Sequence, residues 1–271
     1  MPQPRDRSKR ARAGARDPLS SPAVKAIILA AGMGSRLAPL TNDRPKVLVP
    51  VAGRPILFRQ LDHLTAAGFD LADVVIVGGY RVDTLRAELA ANGFAACTVI
   101  VNDMYEPWNN FWSLAVAEPA VRGHAVLQFD GDVILDPALL PRMLAAPGDA
   151  LLAVDVRDEL DDETMKAQVD AAGDVTGLSK QLDPATCAGE YIGISRLSAD
   201  AAAKVFRELH ALRDEGLTNE YYEGAYLRLI RRGEVRFGVV DVHACMVTEI
   251  DNVEDLARAD ALVRAREGAA R

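Results

Sequence analysis

The sequence predicts an α/β protein built on a doubly wound sheet, and three observations carry that reading. Short apolar, β-branched runs alternate with helical stretches through the first half of the chain, the pattern that lays parallel strands between two layers of helices. Hairpin-like runs with glycine turns follow in the second half. With 271 residues, 49% of them hydrophobic and 26% charged, the chain is long and apolar enough to bury a sizeable core.

The elements follow in order. VKAIILA (24–30), DVVIVGG (73–79), CTVIV (97–101) and HAVLQF (124–129) read as buried strands, each a short apolar run bounded by polar or glycine residues. Residues 54–67, 82–91, 110–117 and 137–145 read as the helices between them. In such sheets ligands sit beyond the carboxyl ends of the strands, which directs attention to the segments after 30, 79 and 129. In the second half ALLAVDV (150–156), MKAQVDAAGDVTGLSK (165–180) and GEYIGISRLS (189–198) read as hairpin strands. Helices near 199–214 and 218–232, a strand in EVRFGVVDV, a short strand VTEI and a helix from about 252 complete the order. No internal repeat or linker interrupts it, so residues 23–271 are expected to form one domain.

Residues 1–22 are polar, arginine-rich and aperiodic, and are expected to be a disordered basic extension. Residues 1–16 carry a net charge of +5, so the formal −8 of the chain leaves −13 on the rest. An acidic body argues against nucleic acid as a partner, since phosphate neutralisation needs clustered cations. It leaves room for a nucleotide, whose needs are local. No run approaches the roughly 18 apolar residues of a membrane span, and no secretory leader precedes the first strand. The expectation is a cytoplasmic protein without membrane insertion. Cys97, Cys187 and Cys245 are too far apart for paired metal ligands and read as small hydrophobes. His63, His124, His210 and His243 lack HxxxH or HxH spacing, which argues against zinc.

The chemistry concentrates in LAAGMGSRLAPLTNDRPKVLVP, which begins at Leu29. Gly32 and Gly34 follow the first strand directly, where backbone passes close to a ligand and donates N–H groups to phosphate. Arg36 and Lys46 stand ten residues apart in a loop stiffened by Pro39, Pro45 and Pro50. The segment lacks the GKS/T of a Walker loop, and Leu37 stands where GxGxxG needs its third glycine. A flexible turn would account for the glycines but not for the two cations. Arg36 suits a bidentate clamp on phosphate oxygens, and Lys46 a point charge near a reacting centre. Farther on, LQFDGDVIL sets Asp130 and Asp132 two apart at a strand end, on one face if the strand persists; an Asp-Gly turn is the plainer reading. Read alone, Asp251 in VTEIDNVEDLARA is a helix N-cap with Glu254 closing a capping box.

LAAGMGSRLAPLTNDRPKVLVPVAGRPIL resembles the signature of the nucleotidyltransferases that activate sugar 1-phosphates and small phosphorylated alcohols, LxxGxGxRLxPLTxxxPKxLxPVxGxPIL. The order of later elements extends the resemblance over roughly residues 24–265. It implies a Rossmann-like, doubly wound mixed sheet of the nucleotidyltransferase type, with a small β-hairpin and a helical substrate-side region. It divides the domain into a nucleotide half, about 23–148, and an acceptor half, about 149–271. The implied reaction is attack by an acceptor phosphate on the α-phosphorus of a nucleoside triphosphate, with release of pyrophosphate. Carried over by residue, the resemblance sets Leu29, Ala30, Ala31 and Gly32 against base and ribose, Gly34 and Arg36 on the triphosphate, and Lys46 beside the reacting phosphates. It assigns Asp132 and Asp251 to Mg²⁺, with Asp130 in support on the nucleotide side.

NDMYEPWNNFWSLAVA further resembles the NNxxSL element of cytidylyltransferases acting on phosphocholine, 2-aminoethylphosphonate and inositol 1-phosphate, and the 165–198 run followed by NEYYEGAYLRLI extends that likeness. The implied partners are CTP and a small phosphorylated or phosphonate acceptor. Gly79, Asn109, Asn110 and Ser113 would then lie near the nucleotide, and Lys180 would reach the acceptor phosphate as a catalytic group. On the residues alone Asn109 and Asn110 cap the following helix, Lys180 is a solvated hairpin lysine, and the aromatics are packing. The acceptor stays open: a quaternary ammonium wants an aromatic cage and a primary amine a carboxylate as well, and Glu190, Glu220, Tyr221, Tyr222, Trp108 and Trp112 offer both. Two other readings are a sugar-1-phosphate enzyme using UTP, dTTP or GTP, and a non-catalytic nucleotide sensor, against which the retained Arg36, Lys46, Asp132 and Asp251 argue. The sequence leaves the assembly open, a homodimer included.

Overall fold

The computed structural model describes residues 24–157 and 159–269, and the expected basic extension at 1–22 lies outside them. β1 (Lys25–Ala30) emerges first, and a proline-rich loop carrying two 3-10 turns leads to a small ribbon, β2 (Pro50–Val51) and β3 (Arg54–Pro55). Then come α1 (Ile56–Ala66), β4 (Val74–Gly78), α2 (Val82–Ala91) and β5 (Thr98–Val101). α3 (Phe111–Ala115), α4 (Glu118–Val121), β6 (Val126–Asp130), β7 (Val133–Leu135) and α5 (Leu139–Ala145) close the first half. The second half supplies β8 (Ala150–Val156), the hairpin β9 (Lys166–Val169) and β10 (Val175–Ser179), and β11 (Gly189–Leu197). α6 (Ala199–Asp214), α7 (Tyr222–Arg231), β12 (Phe237–Asp241), β13 (Val247–Glu249) and α8 (Val253–Ala269) end the chain.

One nine-stranded mixed sheet runs through both halves. β5, β4, β1 and β6 pair in parallel in that order. β11 joins antiparallel to β6, β8 antiparallel to β11, and β12 parallel to β8. The β9–β10 hairpin attaches to the start of β11 through Gly189 and Glu190. Because successive strand residues face opposite ways, Ile27 packs under α3, α6 and α7 while its neighbour Ile28 packs under α1, α2 and α5, and both are fully buried. α1 shows the matching stripe, Leu57, Leu61 and Leu64, at helical spacing. A third cluster joins Leu37, Val49, Ile134, Ile250 and Val263, and so packs the loop after β1, β7, the end of β13 and α8 together.

Three expectations change. β5 is an edge strand with β4 as its neighbour, and it is half-exposed rather than buried; Val101 is 39% exposed. The 110–117 helix is two short helices, because Pro119 begins a new one at its first turn. Helices expected from 54 and 218 begin at Ile56 and Tyr222, since Arg54 and Pro55 pair with β2 and the segment before Tyr222 is tied to the loop before α3. No helix among the described residues is long and apolar enough to cross a membrane.

Candidate active site

The site forms where β7 meets β13. Val133 pairs with Glu249 and Ile134 with Thr248, and the Ile250 amide donates to the Asp132 carbonyl at 3.1 Å. This brings Asp132, just before β7, to Asp251, just after β13. The turn that carries Asp132 is fixed from below. Gln60 of α1 is buried, and its Nε2 donates to the Asp130 carbonyl (3.0 Å) and the Val133 carbonyl (2.9 Å). At Gly131 an added Cβ would fall 2.3 Å from the Leu29 carbonyl oxygen, so only glycine lets the turn rest on β1.

Lys46 enters from the loop after β1. Its Nζ donates to Asp132 Oδ2 at 2.8 Å and to Asp251 Oδ1 at 2.7 Å, and the Arg36 guanidinium reaches Asp251 Oδ2 at 2.8 Å. Gly34 has φ +64°, and a Cβ there would stand 2.7 Å from the Lys46 Cβ, so the glycine makes room for the lysine stem. Behind Lys46, the buried Val47 and Leu48 anchor its 3-10 turn. Burial alone would depress the Lys46 ammonium, but the Asp132 and Asp251 carboxylates outweigh it and hold its pKa above the ordinary value. Asp251 is half-buried, and although that burial works the other way, Lys46 and Arg36 keep its carboxyl below the ordinary range.

The capping role considered for Asp251 belongs to its neighbours. Asp255 Oδ2 accepts from the Asp251 and Asn252 amides at 3.0 and 3.2 Å, and Asn252 Oδ1 accepts from the Asp255 amide at 2.9 Å. The box therefore closes on Asn252 and Asp255 rather than on Glu254, and the Asp251 carboxylate is left to the cations.

Glu249 is the member of this group that sequence reasoning missed. Its carboxylate, with those of Asp132 and Asp251, forms a cluster whose oxygens lie within 4.8 Å of one another. Glu249 is exposed on its outer side, yet packing on the side facing the cluster, with the Asp132 and Asp251 carboxylates, pushes its carboxyl up to about 8. Asp132 Oδ1 is buried with no hydrogen-bond partner. Hard carboxylate oxygens, one of them unsatisfied, fit a divalent cation that takes its remaining ligands from phosphates. The signal was present: alternation in VTEID sets Glu249 and Asp251 on one strand face.

The other residues expected on the nucleotide side lie at the ends of β1, β4 and β6 and about the start of α3. Leu29 and Ala30 form the carboxyl end of β1, and the Ala31 carbonyl accepts from the Tyr80 amide at 3.0 Å, joining the loops after β1 and β4. Gly32 has open space around it, whereas Gly79 lies against the Tyr105 ring. Asp130 stands outside the carboxylate cluster: Oδ1 accepts from Gln128 Nε2 and Oδ2 from the Tyr222 hydroxyl, both at 3.0 Å. Asn109 bonds the Thr218 and Asn219 carbonyls, and Asn110 Oδ1 accepts from the Tyr222 amide at 3.1 Å. The pair thus fastens the start of α7 rather than capping α3. Ser113 is buried, its Oγ accepting from Asn102 Nδ2 at 2.9 Å.

A cleft of about 690 Å³ opens beside Asp251, between residues 155–157 and 159–164, β13 and α8. Lys180, Glu190 and Arg157 line it. Arg157 pairs with Glu190 and lies 3.4 Å from Asp155, and Lys180 Nζ lies 3.5 Å from Glu163. Burial raises the Glu190 carboxyl, with Arg157 opposing it. Of the expected acceptor residues, Glu190 lines this cleft while Glu220, Tyr221 and Trp108 do not, and no aromatic residue among the described residues lines it. The reason is helical phase. Tyr222, Ala225, Tyr226 and Leu229 form the buried stripe of α7, which leaves Tyr221 42% exposed on the outside. Trp108 packs on Phe111 and Trp112, at 6.0 and 5.1 Å between centroids.

A cation-bearing loop after β1, set against a carboxylate cluster beside β6 at the carboxyl ends of a doubly wound sheet, defines a protein of the nucleoside-triphosphate transferase class. The chain belongs to the MobA-like NTP transferase domain family, whose model matches residues 26–219. A CMP-5'-(3-aminopropyl)phosphonate synthase of Streptomyces rubellomurinus is 42% identical over 126 residues, 46% of this chain and 19% of that protein. A choline-phosphate cytidylyltransferase of Streptococcus pneumoniae is 34% identical over 110 residues, 40% of this chain and 44% of that protein. These matches span less than half the length of either relative. A 2-aminoethylphosphonate cytidylyltransferase of Lancefieldella rimae is 25% identical over 88% of this chain and 92% of its own. Among solved structures, the CTP:phosphocholine cytidylyltransferase of S. pneumoniae shares the fold with a TM-score of 0.71 at 24% identity, covering 89% of this chain and 99% of that one.

Proposed function

We propose that the protein is a Mg²⁺-dependent cytidylyltransferase that moves CMP from CTP to a small phosphorylated alcohol or phosphonate and releases pyrophosphate. The observation that carries the reading is the meeting of Lys46 and Arg36 with Asp132 and Asp251 at the carboxyl end of the sheet. In the reaction an oxygen of the acceptor phosphate or phosphonate attacks the α-phosphorus, and the bond to pyrophosphate breaks with its electron pair leaving on pyrophosphate. Such a transfer asks for positioning and charge neutralisation more than covalent help. Arg36, 63% exposed beside Asp251, grips the triphosphate. Lys46 neutralises the α-phosphate under attack, and Lys180 on the cleft wall receives the acceptor phosphate. Asp132 and Asp251, joined by Glu249, would hold Mg²⁺, whose contribution is to neutralise charge on the phosphate oxygens. CTP is favoured because, of the relatives matched over part of the chain, the one at 42% identity is named a CMP-phosphonate synthase and the one at 34% a choline-phosphate cytidylyltransferase. The nucleoside triphosphate donor is consistent with a cytoplasmic protein.

The test is a pyrophosphate-release matrix of CTP, UTP, GTP and dTTP against phosphocholine, 2-aminoethylphosphonate, inositol 1-phosphate and a sugar 1-phosphate. Turnover with CTP and one of the first three acceptors is expected. Turnover confined to UTP, GTP or dTTP with the sugar phosphate would sink the reading.

A further inference from the structure

The hairpin that leads to Lys180 holds a second lysine, one the proposed reaction has not used. Lys166 of β9 is 1% exposed, and its Nζ donates to the Lys180 carbonyl at 2.5 Å and to the Thr164 carbonyl at 3.4 Å. Both partners are uncharged backbone oxygens, and among the described residues no carboxylate pairs with this ammonium. Taking an ammonium out of water without a counter-charge is costly, whereas an apolar side chain of the same length would fill the space without that penalty. Closing a hairpin does not by itself call for a charged group there.

The place of Lys166 supplies a reason for one. β9 runs between β10 and β11, and Lys166 stands opposite Ser179 on one side and Glu190 on the other. Residues in direct register across a sheet share a face, so Lys166 lies on the face of Glu190, a residue of the cleft wall. Thr164 and Lys180, whose carbonyls it holds, line the same cleft, while Lys166 itself is buried and does not line it. Lys180 needs such a hold. Its side chain is 37% exposed, and its contact with Glu163 is 3.5 Å long and made to a carboxylate that is itself 85% exposed. The direction in which Lys180 enters the cleft is therefore set by its backbone, and the side chain that grips that backbone carbonyl is Lys166.

We propose that Lys166 is a positioning residue for the transfer: by tying the Thr164 and Lys180 carbonyls together, it aims the Lys180 ammonium at the acceptor phosphate. It touches neither substrate and acts through Lys180. A charged donor suits this task, because hydrogen bonds from a cation are shorter and roughly twice as strong as those between neutral groups. Placement matters on this scale, since a shift of about 1 Å at a positioning group can lower a rate by about 10²-fold.

The inference rests on the reading of Lys180 as the group that receives the acceptor phosphate, and a double-mutant cycle separates the two. kcat and KM are measured with CTP and whichever of phosphocholine, 2-aminoethylphosphonate or inositol 1-phosphate the wild-type protein turns over. The proteins are wild type, Lys166→Met, Lys180→Ala and the double variant, each confirmed as folded by circular dichroism. Lys166→Met keeps the stem and removes the donors, and is expected to lower kcat/KM for the acceptor by about 10- to 100-fold, the usual worth of a hydrogen bond to a charged group. The KM for CTP should stay at the wild-type value. In the Lys180→Ala protein the same change should lower kcat/KM by less than about threefold, because the residue it acts through is gone. Should Lys166→Met not fold, Lys166→Gln, which has no charge and a shorter reach, goes through the same cycle with the same expectation. A loss as large in the Lys180→Ala protein as in the wild type, a loss shared by the KM for CTP, or no loss at all overturns the inference and spares cytidyl transfer. Lys180→Ala that leaves the acceptor kcat/KM unchanged overturns the role of Lys180 and this inference with it. Absence of turnover with CTP and every acceptor overturns the cytidyl-transfer reading as well.

Discussion

Lys46 and Asp132 meet at 2.8 Å across the mouth of the sheet, and the same ammonium lies 2.7 Å from Asp251. One cation thus joins the loop after β1 to the two segments that β7 and β13 bring together. Replacing Lys46 with Met should lower kcat by about 10²- to 10³-fold, as expected for loss of one preorganised charge beside a reacting group. Lys46→Arg should not rescue it, because the stem is pressed against Gly34. Steady-state pyrophosphate release checks both, and an equal fall in kcat and kcat/KM marks the loss as one of transition-state stabilisation.

The same contact bears on metal affinity. Lys46 and Arg36 already neutralise the Asp132 and Asp251 carboxylates. A divalent cation added without nucleotide competes with them, so Lys46→Met should tighten Mn²⁺ binding to the nucleotide-free protein by about tenfold or more, since an opposing charge a few ångströms away is worth at least ~1 kcal/mol. Mn²⁺ titration followed by electron paramagnetic resonance reads this directly. Unchanged or weaker binding in the variant would count against the assignment of these carboxylates.

Gln60 supports the turn that presents Asp132. Gln60→Leu leaves the Asp130 and Val133 carbonyls without their side-chain donor, an expected loss of about 1–3 kcal/mol. Urea unfolding should show a lower midpoint with an unchanged slope. The folded variant should also need more Mg²⁺ to reach half-maximal rate.

Gly131→Ala acts on the same turn from the other side. The new Cβ would fall 2.3 Å from the Leu29 carbonyl oxygen and 2.7 Å from a Val47 methyl, so overpacking should cost at least about 1–3 kcal/mol. A variant melting at the wild-type temperature would show that the turn does not sit on β1 as described.

Much of this arrangement was legible in the sequence, and the failures share a cause. Leu29 to Lys46 could be read because the strand, the glycines and the cations are contiguous, and Asp132 because it ends an apolar run. The buried stripe Tyr222, Ala225, Tyr226 and Leu229 was equally readable, and it marks Tyr221 as outward-facing. Alternation in VTEID pairs Glu249 with Asp251, but that they would meet Asp132, and the true duty of Asn110, were not readable, because each depends on a partner more than a hundred residues away, Val133 and Tyr222 respectively. The cleft is harder still. Its walls come from residues 155–157 and 159–164, β13 and α8, and no local pattern announces that they will meet.

Glu223 gives stability a pH dependence. Burial pushes its carboxyl from the ordinary 4.5 up to about 7 in the folded protein. Between those values the folded state binds more protons than the unfolded chain, so this contribution is fully present below 4.5 and is lost as pH rises through 7. The ligand-free protein should lose up to about 3 kcal/mol from this group across that window. Glu223→Gln should flatten the slope and be the more stable of the two at pH above about 7, as read by urea unfolding at a series of pH values. Parallel profiles for the two proteins would contradict the buried, unpaired carboxyl.

The central claim is that cytidyl transfer runs through the Asp132 carboxylate and the groups gathered on it. It is tested most directly by the rate of pyrophosphate release from CTP at saturating Mg²⁺ and acceptor, wild-type protein beside Asp132→Asn, with circular dichroism confirming that both are folded. The account predicts that the substitution, which keeps shape and removes charge, slows release by about 10³-fold or more. Release at the wild-type rate by a folded Asp132→Asn protein would contradict it.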